Sequence, residues 1–153
     1  MKYLLDTCVV SETISRNPNP VVNGWLNGID EDDLFISSLT VGEIRKGIIK
    51  MPDCKRKTVL TDWLDQLKAN YAGRIVYVST EVADEWGKRI ALCEMKGLKK
   101  PSVDSLIAVS AASEGLTLVT RNVTDMANLG AVIYNPWDGK YTRDSDQHLQ
   151  RGG

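Results

Sequence analysis

Short apolar runs alternate along this chain with longer segments in which apolar residues recur every three or four positions. The first kind predicts buried strands and the second amphipathic helices. Residues 3–5, 34–36, 75–78, 116–119 and 131–134 read as strands, and 9–15, 20–27, 40–51, 55–71, 80–96 and 102–114 as helices. Within 55–71, Val59, Leu60, Trp63, Leu64 and Leu67 share a helical face, and Gly73 beyond it is a stop signal. Pro101-Ser102 predicts a helix entrance capped by Ser102, with Gly115 as the exit. Strands alternating with helices place the chain in the α/β class, around a mostly parallel sheet.

The length, 153 residues, suits one domain. After Asn135-Pro136-Trp137 the sequence turns polar, so the expected division is a body over 1–139 and a tail over 140–153.

Composition narrows the chemistry. With 42% hydrophobic and 25% charged residues and a net charge of −1, the chain is not a disordered, collagen-like or strongly basic coat protein. His148, the single histidine, lies in the polar tail, which excludes mechanisms built on a core histidine base. Cys8, Cys54 and Cys93 form neither a disulfide framework nor a zinc pattern. The opening apolar run is interrupted by Asp6, and no stretch reaches the roughly 20 residues of a membrane span, so a reduced, cytoplasmic, soluble protein is expected.

The acids carry the candidate chemistry. Asp6 directly follows the first strand, where parallel sheets place functional side chains. Glu43 and Asp104 fall in the expected first turns of two helices, and Asn122 and Asp125 follow the strand at 116–119. Parallel, adjacent strands would bring these acids to one edge. Two carboxylates about 4 Å apart repel by roughly 4 kcal/mol at an effective dielectric near 20. Several together need raised pKa values or a cation, and an all-oxygen set suits Mg²⁺ or Mn²⁺. Cation-assisted phosphodiester cleavage is the matching chemistry.

Each acid also has a structural explanation. Asp6 would cap a helix, Thr40-Val41-Gly42-Glu43 has the form of a capping box, and Asp104 suits the positive end of a helix dipole. Their joint placement, rather than any one position, favours a site.

Four segments, Leu4-Leu5-Asp6-Thr7, Thr40-Val41-Gly42-Glu43-Ile44, Val103-Asp104-Ser105-Leu106-Ile107-Ala108 and Val119-Thr120-Arg121-Asn122-Val123-Thr124-Asp125, resemble the ordered motifs of PIN-domain ribonucleases. Among these the chain is similar to VapC-type toxins, and within them to the FitB-like subgroup, over residues 1–137. The resemblance implies a three-layer α/β/α sandwich, a Mg²⁺ or Mn²⁺ site, and an endoribonuclease that leaves a 5′-phosphate and a 3′-hydroxyl. It assigns Asp6, Glu43 and Asp104 to catalysis and metal binding. Cys8 stands where many relatives have Asn, and relatives place the fourth acid either where this chain has Asn122 or where it has Asp125; the acid, Asp125, is the expected ligand.

In the expected mechanism Asp6 and Asp104 hold the metal, while Glu43 and Asp125 complete its shell and orient the attacking water. Thr7, Arg45, Lys46, Lys99, Lys100, Thr120, Arg121 and Asn122 flank the acids and are the expected RNA contacts. The resemblance further implies a VapB-type or FitA-like antitoxin and a homodimer. Two other readings are an aspartyl-phosphate phosphatase, although Asp6-Thr7-Cys8 lacks the second acid such enzymes use, and a non-catalytic module that binds RNA or protein.

Overall fold

The computed structural model describes residues 1–144. Five strands, β1 (Tyr3–Leu5), β2 (Leu34–Ser37), β3 (Ile75–Val76), β4 (Thr117–Val119) and β5 (Ile133–Asn135), run parallel, and β6 (Lys140–Thr142) is antiparallel to β5. They form one sheet in the order β3-β2-β1-β4-β5-β6. The helices are α1 (Thr7–Glu12), α2 (Pro20–Asn27), α3 (Ser38–Ile49), α4 (Lys55–Asn70), α5 (Thr80–Met95), α6 (Ser102–Ser113) and α7 (Val123–Met126).

β1 is buried along its whole length, because both faces of a parallel sheet are covered. Its side chains therefore divide between two cores. Leu4 joins Leu118 and Ile133 beneath α5 and α6, with Ile107 and Val109. Tyr3, Leu5, Ile36 and Val119 meet Val9, Ile44, Ile48, Leu64 and Leu67 on the other face. The result is the expected three-layer sandwich. Local signals start the helices: Asn19 Oδ1 accepts from the Val21 and Val22 amides with Pro20 at the first helical position, and Ser79 Oγ accepts from the Val82 amide. Gly115, at φ +67, ends α6 as expected.

Several details differ from the sequence reading. Helix α3 begins two residues early, at Ser38, because Ser37 Oγ accepts from the Leu39 amide and takes the cap. Thr40 and Glu43 therefore do not form a capping box. Ser102 is the first residue of α6, and Pro101 occupies its cap position. Val59 remains 50% exposed although Leu64 and Leu67 on the same helix are buried. Residues 140–142, expected in the tail, extend the sheet as β6, where Tyr141 stacks on Tyr134 with ring centroids 4.7 Å apart. The tail beyond residue 144, with His148, lies outside the described residues. Among the described residues, no helix is long and apolar enough to cross a membrane.

The strand order positions the site. From β1 the chain winds through β2 to β3, then returns to place β4 on the opposite side of β1. The connections diverge at the carboxyl ends of β1 and β4, the crevice in which α/β sheets bind ligands. Asp6 and Thr120 are the residues that leave those two strands, and the Asp6 amide donates to the Val119 carbonyl at 2.9 Å.

Candidate metal centre

Asp6 is 2% exposed, yet its side chain does not cap α1. Its Oδ2 accepts from Thr120 Oγ1 at 2.8 Å and from the Cys8 thiol at 3.3 Å. Its Oδ1 is buried without a hydrogen-bond partner. A buried carboxylate oxygen left this way carries a desolvation penalty of about 1–3 kcal/mol or more. Burial pushes the Asp6 carboxyl upward in pKa, the hydrogen bonds from the Thr120 and Cys8 side chains and the Thr7 backbone amide oppose that rise, and the charge of Glu43 adds to it.

Glu43 projects from the second turn of α3 into the same crevice. The Thr7 hydroxyl donates to its Oε1 at 2.6 Å, and the buried Thr40 hydroxyl lies 3.1 Å from Thr7 Oγ1. Asp104 stands in the first turn of α6, which Trp86 of α5 secures by donating from Nε1 to Ser105 Oγ at 2.8 Å. Ser105 Oγ in turn donates to the Ser102 carbonyl at 2.8 Å. The Asp104 carboxyl is raised to about 6, first by burial and then by repulsion from Asp6, Glu43 and Asp125. Asp104 thus feels the charges of three acids from other stretches of chain, and Asp6 that of Glu43. Asp125 lies in α7, a helix absent from the sequence reading, and its charge reaches Asp104. Asn122 precedes α7 and binds Thr120 Oγ1 through its backbone amide at 3.0 Å; its side chain makes no cap bond.

The arrangement is an open one. Among the described residues, no three or more His, Cys, Asp or Glu side chains stand close enough together to hold a metal ion between them. Mg²⁺ commonly retains several waters and takes only one or two carboxylates directly, so an open set of acids around an unpartnered Asp6 Oδ1 fits such an ion. The donor set contains no histidine, in keeping with a hard cation.

The expected substrate contacts separate into two groups. Thr7 and Thr120 hold acids, Arg45 pairs with Asp65 at 3.2 Å, and Lys100 donates to the Thr124 carbonyl at 2.8 Å. Lys46, Lys99, Arg121 and Asn122 are exposed. Arg121 lies over the Trp137 ring, 5.2 Å from its centroid, beside the crevice. In the basic run at 55–57, Arg56 donates to the Ile14 carbonyl and Lys57 to that of Met51 at 3.0 Å, so both serve the fold. From Thr7 and Glu43 an apolar cavity of about 310 Å³ opens between α1, α3 and α4, lined by Ile14, Ile44, Ile48, Leu60 and Trp63.

Sequence reasoning missed the structural parts of Cys8, Thr40 and Trp86. From the sequence Cys8 reads only as a small neutral residue; its thiol's bond to Asp6 Oδ2 depends on how the chain turns from β1 into α1. The signal for Thr40 was taken by the capping-box pattern, and Trp86 gives none without the packing of α5 on α6.

The chain is 32% identical to the toxin FitB of Neisseria gonorrhoeae over 88% of its own length and 97% of that protein's. It is 29% identical to the VapC ribonuclease Y4jK of Sinorhizobium fredii, over 88% and 97% of the two chains. Its fold superposes on the crystal structure of FitAcB from Neisseria gonorrhoeae with a TM-score of 0.83 and 32% identity, covering 88% of this chain and 98% of that one. The PIN domain family model matches residues 3–130, a span that carries all four acids of the crevice. The chain belongs to the PIN domain family.

Proposed function

We propose that this protein is a Mg²⁺- or Mn²⁺-dependent endoribonuclease acting in the cytoplasm as the toxin of a toxin–antitoxin pair. The observation that carries the reading is Asp6 Oδ1, a buried oxygen without a partner amid three further carboxylates. The names of the relatives, a toxin and a ribonuclease, support the substrate and the biological role. The nuclease unit comprises residues 1–139 together with strand β6.

Asp6 and Asp104 would hold the cation, with Glu43 and Asp125 reaching it through water. A bound divalent ion supplies charge neutralisation for the phosphate oxygens and for the acids themselves. Glu43, fixed by Thr7, and Asp125 orient the attacking water, and one of them takes its proton. Arg121, steadied on Trp137, and the exposed Lys99 and Lys46 hold the RNA backbone. The apolar cavity that opens from Glu43 suits a protein partner, and closing it with an antitoxin segment would bring that segment to the acids. A homodimer completes this reading.

The test is cleavage of RNA by the purified protein with Mg²⁺ or Mn²⁺, with EDTA, and after Asp6→Asn. Cleavage that needs the ion and disappears in D6N is expected. Cleavage that persists with the chelator or in D6N overturns the mechanism.

A further inference from the structure

We infer that Cys8 is a positioning residue for the cation site: its thiol, together with the Thr120 hydroxyl, fixes the Asp6 carboxylate so that Oδ1 faces the ion. This rests on the cation centre proposed above and concerns how this chain builds it.

The torsion that turns an aspartate carboxylate is broad, because it joins an sp³ to an sp² carbon. A single donor restrains one oxygen but leaves the carboxylate plane free to tilt about that contact. Here two donors arrive at the same oxygen, Oδ2, from different elements. Thr120 comes from the end of β4 at 2.8 Å, and Cys8 from the first turn of α1 at 3.3 Å. Cys8 Sγ and Thr120 Oγ1 are themselves 3.6 Å apart, so the three atoms close a triangle. Thr120 Oγ1 accepts from the Asn122 amide at 3.0 Å, which directs its own proton away from that loop and toward the triangle. The two side-chain donors thus lie on one side of the carboxylate, and the other oxygen, in a residue only 2% exposed, has no hydrogen-bond partner. A carboxylate oxygen buried in this way is completed by a cation or its water, and the two donors determine its direction. Groups that orient a metal ligand typically change metal affinity 10–100-fold when removed. A thiol is a weak donor, so Cys8 belongs below that range.

Mn²⁺ affinity of the RNA-free protein, read from the EPR signal of free Mn²⁺, tests this without reference to activity. Cys8→Ala is expected to bind Mn²⁺ about fivefold more weakly, and Thr120→Val about tenfold more weakly. Cys8→Ser, which restores a donor, should return to within about twofold of the original protein. Thermal melting without metal checks folding, and Cys8→Val, similar in size but with no donor, replaces C8A if C8A does not fold. Unchanged Mn²⁺ affinity in the donor-less variants overturns the inference, as does a C8S protein as weak as C8A, which would assign the effect to packing. Failure of the unsubstituted protein to bind Mn²⁺ would instead remove the cation centre itself, and the positioning role with it.

Discussion

Thr7 Oγ1 lies 2.6 Å from Glu43 Oε1, so the first turn of α1 holds a carboxylate that projects from α3. The bond joins the residue after Asp6 to a residue 36 positions away, and it fixes Glu43 toward the crevice rather than toward its own helix end. Thr7→Val keeps the branched shape and removes the donor. RNA cleavage should fall about tenfold, in the range for groups that orient a metal-site carboxylate, while stability falls by only about 1 kcal/mol. Single-turnover cleavage and urea melts on the same preparation separate the two. A large stability loss with unchanged cleavage would make Thr7 a purely structural link between helices.

The raised Asp104 carboxyl makes the metal-free fold sensitive to pH in a definite direction. In the folded chain the group titrates near 6, against 3.8 in its ordinary setting. Between those values the folded state holds more protons than the unfolded chain, so stability falls as pH rises through the window and levels off above it. Burial moves Asp6 in the same direction. With EDTA present, the protein is expected to be more stable at pH 5 than at pH 7.5, with roughly 1–2 kcal/mol from Asp104 after allowance for partial solvation. Asp104→Asn should reduce that slope and melt higher than the original protein at pH 7.5, and Mn²⁺ added to the original protein should have the same stabilising sign. If D104N retains the full slope in thermal melts, Asp104 is not the group that titrates in that window.

The architecture was legible because its signals are local. Fully apolar strands, amphipathic helices and punctuating Gly and Pro gave β1 to β5 and α1 to α6 to within a few residues. The convergence of Asp6, Glu43 and Asp104 was also readable, since the strand-to-helix junctions of a parallel sheet share one edge. What escaped depends on contacts between distant segments. Ser37 displaced Thr40 as a cap because strand β2 runs straight into α3. The four-residue α7 is too short to show periodicity, and β6 has no apolar run, being held by pairing with β5 and by Tyr141 on Tyr134. The partners of Arg45 and Lys100 likewise belong to tertiary structure.

Those partners divide the basic residues into two experimental classes. Lys99 and Arg121 are exposed, whereas Lys100 is tied to the Thr124 carbonyl in α7. Lys99→Glu and Arg121→Ala should weaken RNA binding chiefly at low salt, each lowering the slope of log affinity against log salt by about 1. Lys100→Ala should leave that slope nearly unchanged and reduce cleavage by loosening α7. Fluorescence anisotropy with EDTA, which keeps the RNA whole, measures both. A salt slope that drops in K100A but not in K99E would reverse the two roles.

Asp125 is the proposed fourth acid because its charge acts on Asp104. Asp125 adds its charge to the field at Asp104, while Asn122 is bound through its backbone to Thr120 and contributes no charge. Asp125→Asn removes that charge with little change in shape. It should lower cleavage by about 10- to 100-fold, the range for a group that completes a metal shell or its hydrogen bonds. It should also shift the pH profile of metal-free stability, because one source of repulsion on Asp104 is gone. Asn122→Ala retains the amide bond to Thr120 and is expected to change cleavage less than about threefold, since no charged or proton-carrying group is lost. The pair of variants, assayed at saturating Mn²⁺ and again near the metal midpoint, distinguishes a ligand from a bystander. If N122A is the more damaging substitution, the position of Asn122 completes the site and Asp125 stands outside it.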